Sequence, residues 1–393
     1  MQKPADNGAQ RSGVADSVKL FLCGDVMTGR GIDQIFPHPS DPVLHESYMR
    51  SALGYVELAE RETGPLPRRV DPRYVWGDAL ALLEQQAPNA RIVNLETSVT
   101  VSQDAWPGKG IHYRMHPANV ACLAAARLDC CTLANNHVLD WGYAGLRETL
   151  STLHRAGIRT AGAGLDEAEA AAPSIIERAG KPRLLVFAVG MESAGVPPQW
   201  GASGRTNGGA GAARAGVSFL PDLSARSSSM IADRVRAHKQ PGDVAVLSIH
   251  WGGNWGYDVS AQQREFAHRL VDDGGVEVVF GHSSHHPKGI EIYRGRPILY
   301  GCGDFLNDYE GIGGNESFRP DLTAAYFATI DARSGRLTAL ELAPMQIRHF
   351  RVNRASDQDA RWLAQTLARE GRRLGTAVSV ESSGSLVVRA RPG

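Results

Sequence analysis

The sequence lacks long apolar runs, has no excess of either charge and carries few cysteines, and each shortage closes off a class of function. Nowhere do about 18 uninterrupted apolar residues occur, so no segment is expected to span a bilayer as a helix. Lysine plus arginine number 42 and aspartate plus glutamate number 42; without a net basic field, neither nucleic acid nor an anionic membrane is expected as a partner. The five cysteines (Cys23, Cys122, Cys130, Cys131 and Cys302) are odd in number and show no C-x-x-C spacing, which argues for reduced thiols in a cytoplasmic protein. The first 17 residues, "MQKPADNGAQRSGVADS", lack the charged and apolar segments of a signal peptide and are expected to form a flexible tail.

What is present is enough apolar material, 42% of the residues, to fill a substantial core. No repeat and no composition break divides the chain, so residues 18–393 are expected to form a single domain. Short apolar runs alternate with helical periodicity: "VKLFLCGD", "ALALLEQQAP", "ARIVNLET", "PANVACLAAARL", "DCCTLANNHVLD", "YAGLRETLSTLHRAGI", and later "DVAVLSIHWGG", "QQREFAHRLVDDGG", "VEVVFGHSSHH" and "GRPILYGCGDFL". That order describes a layered α/β protein with its ligands beyond the strand ends. A proline-broken excursion after the first strand carries one expected helix near Tyr48 to Glu60. The Gly-rich stretch Trp200 to Gly216 is either a linker or a lid over the site. Past Leu322 the pattern becomes a strand meander turning at "DARSGR", then a helix and a last strand pair.

Five of the strand ends carry metal-binding chemistry: Gly24-Asp25; Asn94-Leu95-Glu96; Asn135-Asn136-His137 with Asp140; His250-Trp251-Gly252; and Gly281-His282 with His285 and His286. One such cluster is ordinary turn chemistry, but five at successive strand ends point to a shared site. Carboxylates and imidazoles without thiolates suit a divalent ion, with Mn, Zn, Fe and Ca as the candidates.

The segments "LCGDVMTGRGID", "VNLETSVT", "LANNHVLDWGYAGLRETL", "SIHWGGNWG" and "GHSSHHPKGIEIYRGRPILYGCGDFLND", in that order from Lys19 to Ile347, resemble the CapA-like proteins of capsule and poly-gamma-glutamate synthesis, within the calcineurin-like metallophosphatase superfamily. The resemblance implies a four-layer α/β/β/α sandwich of metallophosphatase type. It implies Asp25, Glu96, Asn136, His250, His282 and His285 as metal ligands, with His137 nearby and His286 outside the ligand set. The first strand departs from the superfamily, offering Gly24-Asp25-Val26-Met27 where an Asp-x-His motif is usual.

The same motifs are similar to those of the lasso-peptide epimerases, which invert a Cα centre of a ribosomal precursor peptide. On that reading the partner is a peptide substrate, a metal-bound oxygen stabilises the carbanion, and His285, His286, His137 and Asp304 are the candidates for moving the proton. Cys23 and Cys302 are weaker ones. Trp251 and Trp255 are expected to wall the substrate pocket, or to pack its loop. Arg30 is expected to grip a carboxylate or phosphate, or to make a surface pair. The alternatives are a metallohydrolase of phosphoester or amide bonds and a factor in capsule or poly-gamma-glutamate synthesis.

Overall fold

The computed structural model describes residues 17–204 and 213–391. The first strand, Ser17–Val26, is buried at every position past Lys19, and a strand buried on both faces must lie inside a covered sheet. It runs between Ala90–Leu95, parallel to it, and Leu322–Asp331, antiparallel to it, in a mixed sheet of ten strands. A second sheet of six strands is built on Leu184–Gly190, Val244–His250 and Val278–His282, all parallel.

Alternation along these three strands fixes what faces what. Odd-numbered Leu185, Phe187, Leu247, Ile249 and Val279 cluster with Ile231 and Val235 of the helix Ala225–His238 and with Phe266 and Leu270 of the helix Ala261–Asp272. Even-numbered Val186, Val246, Val278 and Phe280 join a second cluster with Leu20, Leu22, Ile92 and Val93 of the first sheet. Leu82 and Leu83 of the helix Asp78–Gln86, with Leu146, Leu150 and Leu153 of the helix Gly142–Arg155, belong to that same cluster and cover the first sheet. The layers are therefore helices, sheet, sheet and helices, the α/β/β/α order expected. Each fully buried Leu or Phe contributes about 1.5–3 kcal/mol, so the two apolar layers hold the sheets in register.

Local signals set the helix ends. Ser260 and Gln263 form a reciprocal capping box at the start of Ala261–Asp272. The first helix runs Ala52–Thr63, starting later than the sequence pattern suggested, because Ser51 caps Leu53 and a bridge joins Val43 to Ser51. The meander is present: Leu322–Asp331 pairs antiparallel with Arg336–Ile347, closing on Asp331 and Arg336.

Residues 1–16, nearly all of the expected tail, and residues 205–212, the middle of the Trp200 to Gly216 stretch, lie outside the described residues. The ends of that stretch are packed: Trp200 is buried, and Gly216–Val217 pairs with Ala163–Gly164. Among the described residues no helix is long and apolar enough to cross a membrane.

Candidate metal centre

The first strand ends on a close backbone contact. Asp25 pairs in parallel with Asp304, and its N–H donates to the Gly303 carbonyl at 2.9 Å. A Cβ on Gly24 would lie 1.7 Å from that carbonyl oxygen, so only glycine fits there. The second sheet delivers His250 and His282 side by side in parallel register, both even-numbered and facing the first sheet.

Asp25, Glu96 and His250 offer ligand atoms that all lie within 4.8 Å of one another, and all three are buried. His282 joins them, its Nδ1 3.6 Å from Asp25 Oδ1 while its Nε2 meets Ser248 Oγ at 2.8 Å. Asn136 joins through Oδ1, 3.1 Å from His250 Nε2. Asn94, named in the sequence only as part of a cluster, donates from Nδ2 to Asp25 Oδ1 at 2.7 Å and so orients the carboxylate. Ser283 donates its N–H to Asp25 Oδ2 at 3.1 Å from a backbone with φ of 94°, a strained conformation for a residue with a Cβ.

The residues fit a cation. Among the described residues, Glu96 Oε2 and His282 Nδ1 are buried without a hydrogen-bond partner, and unmatched polar atoms at such depth are costly. Burial raises Asp25 from the ordinary 3.8 to about 6, with Asp304 adding to the rise. Burial and then the neighbouring Asp25 push Glu96 well above its usual range. Burial lowers His282 to about 3 and takes His250 well below the usual imidazole value, so both rings are neutral and free to ligate.

Two imidazoles flank this group. His285 Nδ1 lies 3.0 and 3.1 Å from the Asp304 carboxylate, so only Nε2 is left to face a metal or a substrate. Burial opposes charge on His285, but Asp304 outweighs it and leaves the imidazole raised. His137 Nδ1 lies 2.6 Å from Asp140 Oδ2, and its Nε2 is 3.7 Å from Glu96 Oε1. Burial brings His137 down to about 4. Asp140 also pairs with Lys109 at 2.5 Å, and Lys109 Nζ lies 3.0 Å from His137 Nδ1.

Other expected residues stand elsewhere. Trp251 is not in the site: one position past His250, it points to the opposite face, stacks on Tyr300 and donates from Nε1 to the Tyr300 carbonyl at 3.0 Å. Arg30 is not available to a substrate. It is buried, forked onto Asp308 at 2.6 and 3.0 Å, paired with Glu46 at 3.2 Å, and held between the rings of Tyr55 and Tyr113. His286 is enclosed by Trp255, Tyr257 and Phe318, with Nδ1 near the Pro287 carbonyl and Nε2 without a hydrogen-bond partner among the described residues. Trp255 does reach the site, its ring 5.3 Å from that of His285. Cys23 and Cys302 are buried thiols, pushed well above their usual range by burial, and remain protonated.

Sequence reasoning passed over Lys109, Asn307 and Tyr309. Asn307 donates to Asp304 Oδ2 at 2.7 Å, and Tyr309 sets its ring edge-on to His285 at 5.1 Å. Both follow Asp304 closely in "GDFLNDYEG", which was the available signal. Lys109 sits between glycines in "PGKGIHY", where nothing marks a half-buried, paired cation.

The family model described as bacterial capsule synthesis protein PGA_cap matches residues 19–309. The chain belongs to the PGA_cap family. A probable polyglutamine synthesis accessory protein of Mycobacterium tuberculosis is 48% identical to this PGA_cap protein over 368 residues, 93% of this chain and 94% of its own. The PGA biosynthesis protein CapA of Bacillus subtilis is 24% identical over 294 residues, 75% of this chain and 64% of its own. Among solved structures, a phosphatase of Mycoplasma pneumoniae overlaps 84% of this chain and 94% of its own at TM-score 0.45 and 12% identity, too loose a likeness to bear on activity. The CapA-like resemblance is thus shown at the level of family, and the relatives' names speak of polymer synthesis, not of peptide epimerisation.

Proposed function

We propose that this PGA_cap protein is a metal-dependent accessory enzyme of glutamyl-polymer synthesis that acts on amide bonds of the polymer. The observation that supports it most is the buried group Asp25, Glu96 and His250, whose carboxylates make no direct ion pair with a lysine or arginine among the described residues, in a chain whose relative is named for polyglutamine synthesis. Asp25, Glu96 and His250 would hold the ion, with His282 Nδ1 and Asn136 Oδ1 at its edge. Such an ion supplies Lewis acidity toward a carbonyl oxygen.

The chain's own residues do the rest. Asp304 fixes the His285 ring through Nδ1, and Asn307 fixes Asp304, so His285 Nε2 is the atom placed to hand a proton to the amine that departs when a water molecule adds to the amide carbonyl and leaves a carboxyl group. Trp255 and Tyr309 flank that imidazole and limit water around it. His137, held by Asp140 and Lys109, sets its Nε2 3.7 Å from Glu96 Oε1. Five free, buried thiols fit a cytoplasmic setting.

The test is to incubate the Mn-loaded or Zn-loaded protein with a glutamyl polymer in deuterated water and measure chain length, new amine ends and deuterium at Cα. Shorter chains with new amines, lost on chelation and in His285→Ala, are expected. The Cα inversion suggested by the sequence uses the same residues but leaves chain length unchanged and places deuterium on Cα. An intact polymer with no new amine overturns the amide reading.

A further inference from the structure

The metal centre itself is nearly closed, but a cavity of about 470 Å³ begins at its edge. Asn307 and Tyr309, which hold Asp304 and flank His285, line it together with Glu62, Ile312, Gln346 and Arg348. That volume is within the range of ligand sites.

The lining carries four carboxylates, Glu62, Glu310, Glu316 and Asp321, against two guanidiniums, Arg319 and Arg348. Most of these are committed. Glu310 accepts from the backbone N–H groups of His349 and Phe350 at 2.7 and 2.6 Å, and Glu316 accepts from Gly314 at 2.8 Å. Asp321 is forked by Arg319 at 2.8 Å and accepts from Gln346 at 2.9 Å, while Arg319 also pairs with Asp359. Glu62 and Arg348 are exposed, and their side chains make no hydrogen bond or ion pair among the described residues. One unpaired cation offset by one unpaired anion cannot neutralise a row of carboxylates, and the remaining excess of negative charge repels one.

We infer that this cavity is the polymer-binding subsite of the metal centre and that it takes neutral, amide-bearing chains in preference to polyanionic ones. The inference rests on the reading of the site as acting on a glutamyl polyamide. Gln346 donates to Asp321 but keeps Oε1 without a partner among the described residues, so it can accept from a side-chain amide, whereas Asn307 is taken up by Asp304 and the Tyr309 N–H. Glu62, on the last turn of the helix Ala52–Thr63, offsets Arg348 and so leaves the excess charge of Glu310 and Glu316 to discriminate.

The experiment measures binding, apart from turnover. Fluorescently labelled glutamine and glutamate hexapeptides are titrated with the full-length, metal-loaded protein, and anisotropy is followed at low and high salt. The glutamine hexapeptide should bind at least about ten-fold more tightly at low salt, with the ratio shrinking in high salt as charge is screened. Glu62→Lys should cut that ratio at least three-fold by admitting the glutamate peptide. Ile312→Trp, which narrows the cavity from an exposed rim position, should weaken the glutamine peptide. Equal or tighter binding of the glutamate peptide by the unaltered protein overturns the inference, as does indifference to both substitutions or binding of neither peptide. If the glutamine peptide binds as expected but is not cleaved, the subsite stands and the amide-cleavage reading falls.

Discussion

Asp308 and Glu46 are buried as deeply as Asp25 and Glu96, yet the first pair closes on the guanidinium of Arg30 whereas the second faces neutral imidazoles and the amide of Asn94. Both pairs were removed from water, and only the first is in direct contact with a fixed cation of the chain. The lesson is that a buried acidic pair with its own cation is a structural joint, while one without is a socket. The joint ties Glu46, near the start of the excursion, to Asp308, just past the last strand that reaches the site.

The largest way to break this contrast is to remove the internal cation. Arg30→Met leaves Asp308 and Glu46 uncompensated and should lower unfolding stability by about 3–5 kcal/mol, with or without added metal, as read by urea denaturation. Rescue by a divalent ion would mean that the two pairs are equivalent.

Next in size is the pH response of the metal-free protein. A carboxyl that holds its proton more tightly folded than unfolded favours the fold at low pH. With Asp25 raised from 3.8 to about 6, its own contribution to stability should fall by up to about 3 kcal/mol as pH climbs through that window. His282 and His137, lowered to about 3 and about 4, give the opposite slope, and the difference between the parent and Asp25→Asn melts isolates the Asp25 slope. Bound metal should flatten or reverse the slope, and thermal melts from pH 4 to pH 7 would read it.

Asp25→Asn separates the two roles of the socket. It removes one of two repelling carboxylates, so the metal-free fold should be no less stable, while metal affinity falls by on the order of 100-fold in calorimetry. The smallest effect belongs to Asn94→Ala, which leaves every ligand in place but frees the Asp25 carboxylate. A loss of about 10-fold in metal affinity with an unchanged fold is expected.

The layer order and the strand-end positions of Asp25, Glu96 and His250 were legible because each ends a short apolar run, and sheet topology brings such ends to one place. What was not legible depended on facing and on distant partners. Trp251 is the chain neighbour of His250, and alternation alone sends it into the helix-covered core. Arg30 stands five residues from Asp25 among glycines and resembles a substrate group; its partners Glu46 and Asp308 are 16 and 278 positions away. Lys109 reads as a loop residue, and only the fold packs it onto Asp140. The positions of Asn307 and Tyr309 beside Asp304 could have been suspected from their proximity in sequence, but not that they open toward a cavity.

The contact between Gly24 and Gly303 has a consequence for how this site can vary. Asp25, of the buried group that fits a cation, and Asp304, the partner of the His285 imidazole, are neighbours across that single backbone approach. Any side chain added at Gly24 moves both at once, so the metal half and the proton half of the site cannot be retuned independently from the first strand. Variation that alters one without the other has to enter from the second sheet or from the loop after Asp304, and natural or laboratory diversification of substrate choice is channelled there.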